Sequence, residues 1–187
     1  MFDKNYYLKK LDQATAYHGH LCSGQAIGVK MALYAIELLH LGVKEDYKNL
    51  KIYVETDRCI ADSIMSVTGC KAGKRRFVFL DYGKTACSFI NMDTGEGYRI
   101  YRKSCIYPPE GEDIAQFFAD LKNEELFSVK KIEIEIRAED RPGKPIGATS
   151  CAICGEEIID RKELVKDGKT MCKNCAGKSY YRVLENV

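Results

Sequence analysis

Apolar positions recur at helical spacing in two early stretches of the chain. Tyr6 to Tyr17 sets Leu8, Leu11 and Ala14 or Thr15 on one face and predicts an amphipathic helix. From Gly24 to Leu41, apolar residues from Ala26 to Leu39 cover most of the circumference, which predicts a buried central helix. Gly24 and Gly28 lie one turn apart. Either they let a neighbouring backbone approach, or Gly24 belongs to the preceding turn. Gly42 is placed to end the helix.

The period then shortens. Lys51 to Glu55 alternates and reads as a strand, and Ile60 to Val67 reads as a short helix stopped by Gly69. Phe77 to Leu80 and Thr85 to Asn91 read as paired strands across the Asp81-Tyr82-Gly83-Lys84 turn. Tyr98 to Arg102 alternates, Pro108-Pro109 marks a loop, and Asp113 to Leu121 predicts a helix. Ile132 to Ile136 alternates without fault and predicts a strand. Arg141 to Gly147 then holds two prolines and two glycines, as a linker does. The organisation expected is an α+β domain over residues 1–141, a linker over 142–149 and a small module over 150–187. The domain should be a mixed or antiparallel sheet packed around a long central helix.

Composition narrows the class. The 187 residues are 45% apolar and 30% charged with net charge +2, an ordinary globular balance that implies no strong polyanion field. No apolar run reaches the roughly 18 residues of a membrane span, and the start of the chain has no signal-peptide core. A cytoplasmic protein is expected, without membrane partners. Nine cysteines could serve a secreted disulfide scaffold, but in that setting metal or redox chemistry explains them better.

Four of them are Cys151, Cys154, Cys172 and Cys175, two CxxC pairs with seventeen residues between. Two such knuckles supply the tetrahedral thiolate set of structural Zn²⁺. The spacer carries the hairpin signal Asp167-Gly168, and Ala176 to Leu184 looks helical, so a treble-clef or zinc-ribbon module is expected. So short a segment needs the metal to fold. From Ser150 onward seven Lys/Arg face six Asp/Glu, not the basic stripe that nucleic acid favours.

His18, His20 and Cys22 stand within five residues, just ahead of the central helix, in a chain with three histidines. A helix N-terminus favours a thiolate, and a His/Cys set suits Zn, Fe, Ni or Cu(I) better than Mg or Ca. Cys59 opens the next short helix, with Asp62 one turn on, and is the natural distant ligand. Cys22, Cys59 and Asp62 are the candidate catalytic residues. His18, His20, Cys22 and Cys59 form a candidate second metal site that would take Zn, Fe or Ni. The bland alternatives are surface or capping histidines and a buried structural cysteine. Cys87 reads as core, His40 as a cap, and Cys70 as a residue that could approach the site. The basic run from Lys71 to Arg76 lacks P-loop spacing and reads as a solvated turn or an anion contact.

Three motifs carry a family resemblance: Tyr17-His18-Gly19-His20-Leu21-Cys22-Ser23-Gly24 with Gly28; Asp57-Arg58-Cys59-Ile60-Ala61-Asp62 continuing through Val67-Thr68-Gly69-Cys70 to Gly73-Lys74; and Asp81-Tyr82-Gly83-Lys84. In this order the chain resembles the FmdE-like family, named for a component of formylmethanofuran dehydrogenase, over most of residues 6–137. Its tail resembles the finger that some members carry. Ser23 departs from the family's usual proline, which alters the turn and not the ligands. The resemblance implies an α+β fold, a homodimer in which the finger of one chain embraces the other, and a site of His18, His20, Cys22 and Cys59 with Asp62, Lys74 and Lys84 nearby. Lys74 and Lys84 are the candidate cofactor or anion contacts. It also implies a link to a molybdenum or tungsten oxidoreductase that reduces carbon dioxide onto methanofuran.

Two functions are expected from different classes. One is a metal-binding accessory protein or enzyme attached to such an oxidoreductase. The other is a regulatory or adaptor protein whose finger binds protein or, less in keeping with its charge, nucleic acid. A thiol enzyme without metal is a third.

Overall fold

A computed structural model describes residues 2–103 and 105–184. The chain divides into two compact units, Met1–Glu135 and Ile136–Val187. Among the described residues no helix is long and apolar enough to cross a membrane.

Helix α1 spans Lys4–His18. Asp3 caps it by accepting from the Tyr6 N–H at 2.7 Å, and Gly19, at φ 97°, closes it by donating to the Thr15 carbonyl. Its buried face is Tyr7, Leu11 and Ala14, one position round from the Leu8 face expected. Helix α2, Ser23–Leu38, is buried on nearly every side, as its all-round apolar pattern requires. It packs against α1, against α3 (Ile60–Thr68) and against the later strands and helices of the unit.

The sheet has the order β2-β1-β3-β4-β5, from strands β1 Leu50–Val54, β2 Phe77–Phe79, β3 Ala86–Asn91, β4 Gly97–Arg102 and β5 Phe127–Ile132. β1 and β2 run parallel and every other pair is antiparallel, so the sheet is mixed. Ile52, Val54, Cys87, Phe89 and Ile100 are buried in the same core as the apolar residues of α2. Cys87 is core, as expected.

Two expectations are corrected. β2 and β3 do not form a hairpin; they flank β1 on opposite sides. α3 carries the chain back along the sheet, so β1-α3-β2 is a parallel crossover unit. The Asp81–Lys84 segment instead folds onto Glu55, whose carbonyl accepts from the Tyr82 and Lys84 N–H groups, both at 3.0 Å. The strand expected at Ile132–Ile136 lies earlier, at Phe127–Ile132. Its partner β4 begins at Gly97, which pairs with Ile132, so residues 133–136 have no strand to pair with. The expected helix near Asp113 is α4, Ile114–Asp120, capped by Asp113. The short α5, Asn123–Leu126, has no counterpart among the expected elements.

The second unit contains two hairpins, β6 (Ala148–Ser150) with β7 (Glu157–Ile159) and β8 (Leu164–Lys166) with β9 (Lys169–Met171). The second turns at Asp167 and Gly168, both at positive φ, as an Asp-Gly turn does. The helix expected over Ala176 to Leu184 is a single short turn, Asn174–Lys178, broken by Gly177 at φ 91°.

Candidate metal centres

The loop between β1 and α3 lies at the carboxyl end of β1, where polar side chains can gather without interrupting a strand. Cys59 ends that loop as the N-cap of α3, and Cys22 is the N-cap of α2. The two helix starts meet because Gly24 stands between them. A Cβ there would lie 2.9 Å from Cys59 Cβ and 3.5 Å from Cys22 Sγ. One turn on, a Cβ at Gly28 would fall 1.9 Å from Ser63 Oγ and 2.9 Å from the Ile60 carbonyl. Both glycines therefore serve the close approach of α2 to α3.

Across these starts comes the end of α1. His18, His20, Cys22 and Cys59 present ligand atoms that all lie within 4.8 Å of one another. The two imidazole rings are 4.6 Å apart at their centroids. His20 is exposed and the other three are half-buried, so the cluster has a solvent side. Asp62, one turn into α3, is 2.7 Å from His18 Nδ1. A carboxylate accepts, so Nδ1 carries the proton and the Nε2 lone pair is left free. His18 Nε2 is buried without a hydrogen-bond partner. A buried polar atom without a partner costs about 1–3 kcal/mol. A metal ion on Nε2 removes that cost, and carboxylate–histidine–metal is the common second-layer arrangement. Burial, and then the hydrogen bond with Cys22, push the Cys59 thiol up. A bound cation is what would let both sulfurs ionise.

The other buried side-chain atom without a partner among the described residues belongs to Gln25, which the motifs do not single out. Its Nε2 donates to the Cys59 carbonyl at 2.6 Å, while its fully buried Oε1 accepts nothing. The signal in the sequence is a polar residue inside the apolar run of α2.

The two lysines do not join this cluster. Lys74 follows the far end of α3, next to β2, because α3 has carried the chain the length of the sheet by then. Cys70 is at that far end as well, fully buried with Sγ 3.5 Å from the Leu50 carbonyl; burial raises its thiol to about 11. Lys84 lies at the site's end of the sheet, tied through its N–H to the Glu55 carbonyl. It lines a separate cleft. His40 is exposed just past the end of α2.

In the second unit Cys151, Cys154, Cys172 and Cys175 likewise place their sulfurs within 4.8 Å of one another. The Cys172 N–H points at Cys151 Sγ (3.3 Å) and the Cys175 N–H at Cys172 Sγ (3.5 Å). Backbone N–H groups of Cys154, Cys172 and Ile153 bring the Cys151 thiol down to about 6, while the Cys172 hydrogen bond and burial push Cys175 up to about 12. Four thiols this close cannot all ionise alone, and a divalent cation is the partner they fit.

Comparison with known proteins agrees with both units. The family model described as FmdE, molybdenum formylmethanofuran dehydrogenase operon, matches residues 17–143, and the prokaryotic dksA/traR C4-type zinc finger matches residues 145–181. A protein of Archaeoglobus fulgidus named as a probable S-adenosyl-L-methionine-binding protein is 29% identical over 92% of the chain. The match takes in 53% of that relative's length, so the chain spans about half of it. The crystal structure of an FmdE-like protein of tungsten formylmethanofuran dehydrogenase, from Syntrophus aciditrophicus, is similar in fold, with a TM-score of 0.59. It is 21% identical, with 94% of this chain and 95% of that one covered. With its model matched over more than half of the sequence, in the unit that holds the His/Cys cluster, the chain belongs to the FmdE family and carries a C4-type zinc finger behind it.

Proposed function

We propose that this protein is a metal-dependent FmdE-family accessory protein or enzyme, with one metal for structure and one for chemistry. The finger would hold zinc on Cys151, Cys154, Cys172 and Cys175. The front cluster would hold Zn, Fe or Ni on His18, His20, Cys22 and Cys59. The observation that carries the reading is the buried, unpartnered His18 Nε2 beside a bonded Nδ1–Asp62 pair. The metal would supply Lewis-acid or redox chemistry at its solvent side. The chain's own residues do the rest. Asp62 holds the His18 proton on Nδ1, Gly24 lets the two sulfurs approach, and exposed His20 leaves a side open to an exogenous ligand. A closed Cys₂His₂ set is also what structural zinc uses, so access of a further ligand decides between the two. The family description ties this role to a molybdenum formylmethanofuran dehydrogenase operon, and the function proposed is work alongside such an oxidoreductase, as a homodimer. S-adenosyl-L-methionine, from the name of the Archaeoglobus relative, is one ligand to offer the site.

The test is cobalt substitution. Co²⁺ in the front site should add a band set distinct from the tetrathiolate spectrum of the finger, shifted by azide and lost in Cys22→Ala. A spectrum of the finger alone, or a front band that azide leaves unmoved, would sink the chemical role.

A second reading, an adaptor acting through the finger, is favoured by the exposed Tyr180, Val183 and Leu184 near its end. Apolar exposure of this kind suits a protein surface, whereas the near-neutral charge does not suit nucleic acid. A titration with duplex DNA at low salt that shows binding would reverse that preference.

A further inference from the structure

Beside β3 and β4, at the same end of the sheet as Cys59, a cleft of about 440 Å³ is lined by Lys84, Arg99, Tyr101, Arg102, Lys103 and Tyr107 among others, with no carboxylate among the described residues of its wall. Its size falls in the range of roughly 300–1,000 Å³ usual for small-molecule sites. The two guanidinium groups are fixed in place. Arg99 is held from behind by the buried Glu55 carboxylate, at 2.6 and 2.7 Å, and lies 5.1 Å from the Tyr101 ring centre. Arg102 donates to the Tyr107 hydroxyl and the Ile106 carbonyl, and lies 4.5 Å from the Tyr107 ring centre. Lys84 and Lys103 are anchored by backbone bonds to Glu55 and Leu126, and their exposed side chains add two further positive charges.

Glu55 balances Arg99. Lys84, Arg102 and Lys103 add positive charge to the same concavity. Like charges held together repel, and a bound anion turns that repulsion into attraction. Pre-oriented guanidinium groups also spare an anion the cost of ordering them. The Tyr101 and Tyr107 rings add flat apolar surface beside the charges.

We propose that this cleft is a binding site for a small organic polyanion, one that carries a phosphate group or clustered carboxylates together with a flat or apolar part that rests on Tyr101 or Tyr107. The site is independent of any metal at His18. Lys84 shares the Glu55 carbonyl with Tyr82, and Cys59 lies four residues beyond Glu55, so the cleft and the His/Cys cluster flank the same loop.

Calorimetric titration of the full-length protein tests this, with ADP as the phosphate probe, tricarballylate as the carboxylate probe and acetate as control. At least one polyanion should bind one per chain while acetate does not, and affinity should fall as salt rises. The Lys84→Gln/Lys103→Gln double variant should weaken it by about tenfold or more, with its melting temperature unchanged, because both side chains are exposed. Binding of ADP alone assigns a phosphate ligand, and of tricarballylate alone a carboxylate ligand. The proposal is overturned if neither binds below about 10 mM, a regime weaker than roughly −3 kcal/mol. It is equally overturned if binding exceeds one per chain or ignores the double variant.

Discussion

His18 and Asp62, forty-four residues apart in sequence, meet at 2.7 Å, and the contact leaves the far nitrogen of the imidazole buried with nothing to bond. The pair joins the end of α1 to the first turn of α3. It fixes which nitrogen of His18 can take a metal. Replacing Asp62 with Ala should therefore lower affinity at the front site by about 10–100-fold, the usual cost of losing such a partner. Affinity at the finger should not change. Chelator competition with two dyes of different strength reads both sites, and an unchanged front affinity would separate Asp62 from metal binding.

The two glycines of α2 should separate stability from site geometry. Alanine at Gly28 meets Ser63 Oγ at 1.9 Å, and Ser63 is buried and bonded to the Ile60 carbonyl. Overpacking costs about 1–3 kcal/mol, against about 1 kcal/mol gained by removing a helical glycine. A lower urea midpoint is expected for Gly28→Ala. Alanine at Gly24 presses on Cys59 Cβ at 2.9 Å, so Gly24→Ala should weaken front metal binding more than it weakens folding. Equal behaviour of the two variants in both assays would contradict this division.

Glu55 supplies a pH signature. The Arg99 hydrogen bonds hold its carboxyl below the ordinary value of 4.5, against the opposing effect of burial. A depressed folded value means the contribution is fully present above the ordinary value and is lost as pH falls through the folded one. Glu55→Gln should cost about 2 kcal/mol at neutral pH, the scale of a hydrogen bond to a charged group. The gap to the parent protein should close in acid, below about pH 4. Urea unfolding measured from pH 7 downward shows the convergence; a gap that stays constant with pH would assign the effect to packing.

The finger should need its metal to fold. Its buried cluster amounts to Cys151, Ile158 and Met171 among the described residues, too little apolar surface to hold the unit alone. Stripping zinc, or the Cys172→Ser change, should expose the β6–β9 amides to hydrogen exchange while the α2 amides keep their protection. Protected finger amides in the metal-free protein would argue for a core larger than these three residues.

Local patterns were legible and pairings less so. The all-round apolar run of α2, the Asp167-Gly168 turn and the two CxxC knuckles each act within a few residues, and each appears where expected. The gathering of His18, His20, Cys22 and Cys59 follows from the sequence too, because four soft side chains stand at two helix starts. The β2–β3 hairpin fails because a short loop between two apolar runs says nothing about a third strand slipping between them; the crossover helix α3 is the clue to it. The strand at Ile132–Ile136 fails because alternation marks a half-buried face only while a partner lasts, and β4 runs out at Gly97. Motif order alone puts Lys74 near the site, and α3 carries it away.

The second metal centre stands or falls most directly on metal stoichiometry. Elemental analysis of protein purified without oxygen should find two metal equivalents per chain, of which one is zinc. The Cys22→Ala/Cys59→Ala variant should retain one, and that one zinc. A parent protein holding a single zinc, with the same content in the variant, would contradict the second metal centre.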